Sequence, residues 1–375
     1  MATSTHCRVL LQHGRQWLQF KNPVEVIAVD DVAAVRPALA RVEDAVERRG
    51  LTAAGFLAYE AAPAFDPAFR VRPQSALPLL WFGLYRQPEP APPPTPNGQN
   101  HTLGQFTPAI SADAYHRAIA QIKQHIAAGE TYQVNYTMRL RTSFSGQPWS
   151  LFARLAGAQR GQLAAFVDTG RFALCSASPE LFFDRDGDWL TARPMKGTAP
   201  RGDTPAEDDR LANWLHNSTK NRAENVMIVD MIRNDLSRFA ELGSVRVPRL
   251  FQIERYPTVL QMTSTITARS DRPLAEIMAA LFPCASITGA PKVRTMEIIA
   301  ALEPEPRGIY TGAIGFMAPG RQAQFNVAIR TVAIDRQSGL AEYGVGGGIV
   351  WDSDPEQEYE ECQIKARVLS HPSSF

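Results

Sequence analysis

The sequence predicts an α+β fold with mainly antiparallel sheets. Predicted strands follow one another in runs, and only a few long helical segments interrupt those runs, which is typical of this class. The chain has 375 residues, of which 45% are hydrophobic, so it can bury a large core in one domain or two.

Residues 1–86 form the first predicted region, with mixed strand and helix character. Its periodicity predicts an amphipathic helix that ends at Gly50, with apolar strands on both sides. The region is too short and too apolar to stand alone, so we expect it to pack against the rest of the protein. Its predicted elements are strands at 8–14, 17–22, 56–65 and 77–85 and a helix at 35–50.

Residues 87–108 are rich in proline and polar side chains, which predicts a surface loop or linker with polyproline character. Residues 109–375 form the main predicted region. One predicted helix is long, because it opens at the capping sequence of residues 203–205 and continues to Asp235. The other predicted elements are helices at 111–130, 272–282 and 293–302 and strands at 131–144, 166–178, 180–194, 244–256, 258–270, 311–319, 323–335 and 340–351.

Bulk properties exclude some classes of function. A net charge of +1 without a basic tract argues against nucleic acid as the main partner. No run of about 18 or more apolar residues is present, and the N-terminus lacks the pattern of a secretory signal, so we expect no membrane span. Four cysteines without CxxC spacing suit free thiols in a reducing cytoplasm: Cys7, Cys175, Cys284 and Cys362.

A charged helix is predicted at residues 354–367. Glu358, Glu361 and Lys365 lie at i, i+3 and i+7, so two carboxylates and an ammonium share one face. Asp354, which is followed by proline, is a suitable N-cap. One interpretation is a solvated charged face, and the alternative is a share in a cation site, because a second acidic site occurs upstream.

That second site is Glu224, on the long predicted helix. It lies close to the apolar stripe of that helix rather than opposite it. A carboxylate there needs a partner, because an unpaired buried charge is costly. The partner is either a neighbouring cation or a magnesium ion shared with the terminal helix, since magnesium takes one or two protein carboxylates and completes its shell with water and substrate oxygens. The neighbouring cations are Lys220, Arg222 and Arg233.

Lys196 lies in a Pro/Gly segment, PMKGT, directly after an apolar strand, and Glu180 opens the strand before it. Two strands of one hairpin would place these side chains near each other. A lysine held in a pocket loses proton affinity and can act as a base or nucleophile beside an acid. The alternatives are a solvated lysine in a turn and a cross-strand ion pair.

Two glycine-containing segments offer backbone amides: residues 286–292, SITGAPK, which include Gly289, and residues 346–348. Such amides can hold an anion, and the alternative is that the glycines simply form turns. The run GVGGGIV does not match GxGxxG, and GxxxxGK[ST], GxSxG and HExxH do not occur, so the common nucleotide, hydrolase and zinc-protease motifs are excluded.

Taken in order, several segments resemble the chorismate-utilising enzymes, which are anthranilate synthase component I, aminodeoxychorismate synthase component I, and the isochorismate and salicylate synthases. The resemblance covers roughly residues 111–375 and implies two large, mainly antiparallel sheets packed on each other and flanked by helices, with the site between them. GFLAYEAAPAF looks like the aminodeoxychorismate branch. The segments are PMKGT, KNRAENVMIVDMIRNDL, SITGAPKVRTMEII, IYTGAIGF, IRT, GGGIV and EYEECQIKA.

The resemblance implies covalent chemistry at Lys196. Aminodeoxychorismate synthases carry a lysine in this motif where anthranilate synthases carry alanine, although isochorismate and salicylate synthases also have a lysine there. The implied mechanism is attack of Lys196 on C2 of chorismate while Glu180 protonates the departing C4 hydroxyl. Ammonia then adds at C4 and expels the lysine, which leaves 4-amino-4-deoxychorismate for 4-aminobenzoate and folate biosynthesis.

A ligand set is implied as well. Glu224 and Glu361 resemble direct magnesium ligands, with Glu358 nearby. A cation, basic side chains and backbone amides are the right complement of a dianionic substrate. The residues implied to bind substrate are Ser286, Gly289, Tyr310, Arg330, Gly346, Gly347 and Lys365.

Two positions depart from the family pattern. Gln261 stands where many relatives have histidine, which fits an enzyme that keeps the enolpyruvyl group, and Asn221 stands where many have a carboxylate. The sequence shows no glutaminase segment, so ammonia is expected from a glutamine amidotransferase subunit. Two alternatives stay open: a sister enzyme of the anthranilate or isochorismate type, and an inactive paralogue that only binds a partner.

Overall fold

Two large antiparallel sheets dominate the computed structural model, which describes residues 8–73, 76–96, 100–159, 162–256 and 259–370. Across those ranges every paired strand runs antiparallel to its neighbour. The predicted α+β class is therefore confirmed.

The strands are numbered in chain order. They are β1 (Arg8–His13), β2 (Gln16–Lys21), β3 (Glu25–Val29), β4 (Thr52–Leu57), β5 (Leu80–Tyr85), β6 (Glu89–Ala91), β7 (His101–Leu103), β8 (Thr107–Pro108), β9 (Gln133–Gly146), β10 (Ala165–Asp168), β11 (Phe172–Ser176), β12 (Leu181–Asp186), β13 (Trp189–Arg193), β14 (Met195–Pro200), β15 (Arg246–Arg255), β16 (Val259–Arg269), β17 (Gly289–Ala290), β18 (Ala313–Ala318), β19 (Gln322–Val327), β20 (Thr331–Asp335) and β21 (Leu340–Ile349).

The helices alternate with these strands, and two short 3-10 helices occur at Tyr59–Ala64 and Ala285–Ile287. The predicted end of the first helix at Gly50 is confirmed, with a φ of 64°. The helix begins a few residues before the predicted start, where the Asp31 side chain accepts a hydrogen bond from the Ala33 N–H. The α-helices are α1 (Val32–Arg49), α2 (Ala112–Ala127), α3 (Pro148–Gln159), α4 (Pro205–Asn217), α5 (Thr219–Ser237), α6 (Leu274–Leu281), α7 (Lys292–Leu302) and α8 (Pro355–Ser370).

The first sheet has the strand order β17-β9-β21-β20-β11-β10-β1-β2-β6, with β7 and β8 also paired to β9. Its longest pairing joins β9 to β21, in register from Leu340 opposite Ser143 to Ile349 opposite Val134. The second sheet has the order β14-β16-β13-β12-β19-β18-β4-β5-β3, with β15 paired to β16. Strands from the first 86 residues therefore belong to both sheets.

Apolar cores separate the layers, and a smaller cluster lies between α4 and strands β14–β16. One core lies between the two sheets, since Val9 and Phe20 of the first sheet share a cluster with Phe56 and Phe316 of the second. The outer face of the second sheet packs against α1, α5 and α6, and that of the first sheet packs against α2, α3 and α8. Burying a phenylalanine such as Phe56 stabilises the fold by about 1.5–3 kcal/mol. The layers are thus helices, sheet, sheet and helices.

Two sequence predictions are wrong about where elements end. The predicted strand at 56–65 stops at Leu57 and continues as the 3-10 helix, because Pro63 cannot donate to a sheet ladder. The single long helix ending at Asp235 is in fact α4 followed by α5. Ser218 separates them in an extended conformation and caps α5 by accepting a hydrogen bond from the Asn221 N–H.

A third prediction fails at residues 323–335, which were expected to form one strand. They form β19 in the second sheet and β20 in the first, so the chain crosses between the sheets at residues 328–330. Arg330 has a φ of 49° at this crossing, a conformation that a regular strand does not contain. Within the ranges that the structure describes, no helix is long and apolar enough to span a membrane.

Candidate active site

Lys196 lies on β14, and its ammonium points toward the end of β21 in the other sheet. A Cβ built on Gly348 would lie only 3.0 Å from Lys196 Nζ, so the two sheets meet here. Burial lowers the pKa of Lys196, against the attraction of Glu224 and Glu180. In the described part of the chain Lys196 forms no ion pair with either carboxylate.

Glu180 lies just before β12 and is 4% exposed. Burial raises the pKa of this carboxyl to about 7, although Ser286, Lys196 and Arg330 lie near and oppose the rise. Its Oε1 atom is buried without a hydrogen-bond partner in the described structure. The backbone is held in place, since Ser178 Oγ accepts the Glu180 N–H at 3.2 Å and donates to the Val327 carbonyl at 2.6 Å.

Lys196 and Glu180 lie near each other, but they are not carried by the two strands of one hairpin, as was expected. The hairpin is β12–β13, whereas β14 leaves it and pairs with β16. Gln261 on β16 stabilises this pairing, because its Nε2 donates to the Gly197 carbonyl at 2.8 Å and its Oε1 accepts from Thr198 Oγ1 at 3.0 Å. Gln261, the first departure from the family pattern, therefore helps to hold the strand that carries Lys196.

Asn221, the second departure, lies in the first turn of α5. Its Oδ1 would be 3.0 Å from a Cβ on Gly197, so it packs against the segment that carries Lys196. Its Nδ2 donates to Ser218 Oγ at 2.9 Å. One helical turn later, Glu224 is half-buried and near enough to Lys196 to favour its charged form. Among the described residues Glu224 has no ion pair with Lys220, Arg222 or Arg233, the cations considered from sequence.

The glycines near the end of β21 alternate in what they approach. Gly344, Gly346 and Gly348 lie directly opposite Arg139, Thr137 and Asn135 of β9. A Cβ would be 2.1 Å from the Tyr310 ring at Gly344 and 2.3 Å from the Tyr136 carbonyl oxygen at Gly346. A side chain at these alternate positions would fill the space between the sheets, so glycine is needed for close approach rather than for a turn.

Gly347 has the opposite orientation, as the period of two in a strand requires. A Cβ there would lie 2.8 Å from Glu358 Oε2 on α8. The Glu358 carboxylate accepts a hydrogen bond from Ser353 Oγ at 2.7 Å, and burial raises its pKa. The predicted N-cap of this helix is confirmed, because the Asp354 carboxylate accepts the Gln357 N–H at 3.0 Å.

Lys365 links α8 to the glycine strand. Its Nζ donates to the Gly346 carbonyl at 2.7 Å and forms an ion pair with Glu361 Oε1 at 2.6 Å. Burial opposes the ionisation of Glu361, but Lys365 and Lys196 outweigh it and lower its pKa. The predicted charged face is thus an ion pair directed at the site.

The predicted magnesium ligands lie around this ion pair without forming a closed cation site. No group of three or more His, Cys, Asp or Glu side chains close enough to hold a metal is found in the described ranges. The donor chemistry still fits magnesium, which needs only one or two carboxylates from the protein. Glu358 Oε2 beside Gly347 and the Glu361 carboxylate are oxygen donors of this type.

Arg330 and Tyr310 lie between the sheets. Burial lowers the pKa of Arg330, and Tyr343, Tyr256 and Glu180 are its electrostatic neighbours. The Tyr310 ring is 7% exposed, with the Arg139 guanidinium 4.9 Å from the ring centroid. Gly289, at φ 147°, pairs with Val134 on β9, where a Cβ would lie 2.0 Å from the Gln133 carbonyl oxygen. The structure thus brings residues from distant segments to one place.

Sequence reasoning missed Gln133. Both polar atoms of its side chain are buried without a hydrogen-bond partner in the described structure, and its Nε2 would lie 2.5 Å from a Cβ on Gly348. The sequence did contain a pattern that could have pointed to Gln133, because polar and apolar residues alternate along β9. Such alternation normally predicts one solvated face, but here the polar face is buried between the sheets. Its members are Gln133, Asn135, Thr137 and Arg139.

Several known proteins are similar to this chain in sequence or fold. The chain is 44% identical to an aminodeoxychorismate synthase of Streptomyces griseus over 289 residues, which are 76% of this chain and 39% of that protein. It is 41% identical to aminodeoxychorismate synthase component 1 of Bacillus subtilis over 270 residues, 72% of this chain and 57% of that protein. The chain therefore spans about half the length, or less, of these curated relatives.

The solved structure of anthranilate synthase component I from Streptococcus pneumoniae superposes with a TM-score of 0.81 at 23% identity, covering 97% of this chain and 92% of that one. At this identity the likeness shows the fold. The sequence also matches the pattern of chorismate binding enzymes over residues 6–371. Because that match spans nearly the whole chain, this protein belongs to the chorismate binding enzyme family.

Proposed function

We propose that this protein is the chorismate-converting component of a magnesium-dependent aminodeoxychorismate synthase. Chorismate and ammonia would give 4-amino-4-deoxychorismate and water. One observation carries the proposal: the Lys196 amine, whose pKa burial lowers, lies near the Glu180 carboxyl, whose pKa burial raises to about 7. Such a pair can present a neutral nucleophile and a protonated acid at the same pH.

The covalent step uses both groups. Lys196 Nζ bonds to C2 of chorismate, the ring double bonds shift, and the C4–O bond breaks as Glu180 gives its proton to the hydroxyl, which leaves as water. Ammonia then bonds to C4, the C2–N bond breaks, and Lys196 returns to the amine. The proton that the new C4 nitrogen loses restores Glu180, so the cycle closes without a further reactant.

Charge complementarity supports a dianionic substrate. Arg330 and Lys365 supply cations, and the Ser286 hydroxyl lies near Glu180, the acid proposed for the leaving group. Magnesium held by Glu224, Glu361 and Glu358 would supply positive charge for the ring carboxylate. Tyr310, Gly289, Gly346 and Gly347 would complete the wall around the substrate.

The proposal extends to a partner. The name of the Bacillus subtilis relative, component 1, implies a second subunit for that protein. We infer that a glutamine amidotransferase subunit supplies ammonia to this chain, and that the product enters 4-aminobenzoate and folate biosynthesis in the cytoplasm. Free ammonium would then replace the partner in a test of the isolated chain.

Product analysis tests the proposal. Purified protein is incubated with chorismate, magnesium and ammonium, and the products are separated by chromatography and identified by mass spectrometry. Aminodeoxychorismate, convertible to 4-aminobenzoate by an added lyase, is the expected result. Anthranilate, isochorismate or salicylate would assign the chain to a sister activity. No product, even with an amidotransferase subunit present, would favour an inactive paralogue.

A variant pair tests the covalent role. Lys196→Ala should abolish amination, whereas Lys21→Ala, an exposed lysine paired with Glu89 far from the site, should leave it unchanged. Protein quenched during turnover is examined for a mass increase on the peptide that contains Lys196. Amination at the normal rate by Lys196→Ala would exclude the lysine intermediate while leaving the chorismate activity intact.

A further inference from the structure

A fully buried arginine lies behind the site and is absent from the proposed chemistry. Arg307 is 1% exposed, and each of its five guanidinium N–H groups has an acceptor. Two N–H groups bind the Glu303 carboxylate, from Nε at 2.9 Å and from Nη2 at 2.7 Å. The other three N–H groups donate to acceptors in other segments of the chain.

Each of these three acceptors lies next to a site residue. Nη1 donates to the Ile287 carbonyl at 2.8 Å, and Ile287 follows Ser286, which lies beside Glu180. Nη2 donates to the Asn135 carbonyl at 2.7 Å, and Asn135 lies opposite Gly348 in the β9–β21 pairing.

The third acceptor is Thr311 Oγ1, at 3.4 Å from Nη1, and Thr311 directly follows Tyr310. One rigid, planar group therefore contacts a 3-10 helix, a strand and a turn at once, and each of them carries a residue of the site. A flexible ammonium could not hold three such directions, because its donors rotate about one point.

The backbone of Arg307 is fixed from the N-terminal part of the chain. Glu60, 2% exposed, accepts the Arg307 N–H at 2.6 Å and the Gly308 N–H at 2.9 Å. The adjacent Tyr59 N–H donates to the Gly308 carbonyl at 2.8 Å, and the Tyr59 ring lies 4.6 Å from the guanidinium carbon.

Glu303 is fixed in turn by the polar face of β9, through the N–H and hydroxyl of Thr137 at 2.9 and 2.7 Å. Both ends of the ion pair are therefore held by segments far apart in sequence.

We propose that Arg307 is a positioning residue that sets the spacing of Ser286, Gly348 and Tyr310, with Glu60 fixing the turn from which it projects. The inference rests on the proposed function, since its consequence is chorismate turnover. A buried ion pair that served stability alone would have no reason to spread its donors over three site segments, because such pairs often contribute little net stability.

The test compares two buried arginines. Arg185, 4% exposed, donates to the Gly187 and Ser270 carbonyls at 3.0 and 3.3 Å, around the β12–β13 turn. Arg307→Lys and Arg185→Lys both keep the charge and lose the planar fork. Arg307→Lys should lower kcat for chorismate amination about 10- to 100-fold, as expected when reacting groups are displaced by a fraction of an ångström to 1 Å. Arg185→Lys should stay within about twofold of wild type, although both variants lose stability.

A second readout does not need turnover. Amide hydrogen exchange, followed by mass spectrometry, should accelerate in Arg307→Lys in peptides that cover 133–137, 284–291 and 308–312, and not elsewhere. Exchange raised equally over the whole chain, or a kcat no lower than that of Arg185→Lys, would overturn the proposal. If wild type makes no product from chorismate, the proposed function fails while the exchange pattern still decides whether Arg307 organises these segments.

Glu60→Gln provides a variant that leaves the guanidinium intact. The amide keeps one acceptor oxygen, so one of the two backbone N–H groups loses its partner. We expect faster exchange at 308–312 and a smaller fall in kcat than for Arg307→Lys. Unchanged exchange and unchanged kcat in Glu60→Gln would contradict the role assigned to Glu60, also in the case that Arg307→Lys fails to fold.

Discussion

Gly348 and Lys196 face each other across the gap between the two sheets, where a Cβ on the glycine would lie 3.0 Å from the lysine Nζ. The same Cβ would lie 2.5 Å from Gln133 Nε2, so the amide and amine nitrogens are at most 5.5 Å apart, the sum of those two distances. The absent side chain thus leaves space in which a substrate can contact both groups.

Gly348→Ala should fill that space. Its nearest neighbours are the flexible ends of Gln133 and Lys196, so the fold should remain while kcat/KM for chorismate falls about 10- to 100-fold. Gly157→Ala, on α3 with nothing within 4 Å of the new Cβ, is the control and should gain about 0.5–1 kcal/mol with no change in kcat/KM. Steady-state kinetics and urea unfolding measure the two quantities. Normal kcat/KM in Gly348→Ala would show that substrate does not enter the gap.

Gln133→Met should separate stability from activity. Each buried polar atom without a partner costs about 1–3 kcal/mol, so the apolar replacement should leave the free energy of unfolding unchanged or raise it. Amination should fall, because the amide beside Lys196 is then missing. A loss of stability would mean that Gln133 has a bound partner in the folded protein, and full activity would remove it from the site.

The rate of amination should depend on pH through Glu180. The acid must be protonated, and since burial raises its pKa to about 7, kcat/KM should fall as pH rises through that value. Lys196 must be neutral, so kcat/KM should also fall toward acidic pH. Because burial lowers the pKa of Lys196, this fall occurs at a lower pH than for an ordinary lysine. The two apparent pKa values belong to the pair, because the groups interact.

Glu180→Gln should remove the alkaline limb and lower the rate about 10²- to 10⁴-fold. Asp184→Asn is the matched control, since burial also raises the pKa of Asp184, on the strand that begins directly after Glu180, and it should keep both limbs. An alkaline limb that survives in Glu180→Gln would place the acid elsewhere.

Magnesium binding should depend on Glu361 more than on its neighbour. Glu361→Gln and Glu360→Gln make the same change of charge on α8, but only Glu361 pairs with Lys365 beside the glycine strand. Calorimetric titration should show magnesium affinity reduced at least about tenfold in Glu361→Gln, which corresponds to about 1.4 kcal/mol. Equal affinities in the two variants would exclude Glu361 as a ligand.

Local patterns predicted much of the fold because their causes are local. Helical periodicity and caps placed the helices other than α3, for which no helix was predicted, as Gly50 and Asp354 show. The break at Ser218 escaped notice, since a serine that caps a new helix does not interrupt the apolar period by itself. The crossing at Arg330 was not predicted, because β19 and β20 follow each other in sequence with the pattern of a single strand although they belong to different sheets.

The sequence by itself determined the α+β class, the family resemblance, and which residue types could do chemistry, because motifs and periodicity lie within short stretches. Only the tertiary structure decided that β14 leaves the hairpin to carry Lys196, that the polar face of β9 is buried, and that Arg307 contacts three site segments. These relationships join residues far apart along the chain. They depend on which sheet each strand enters, and no local pattern of side chains encodes that choice.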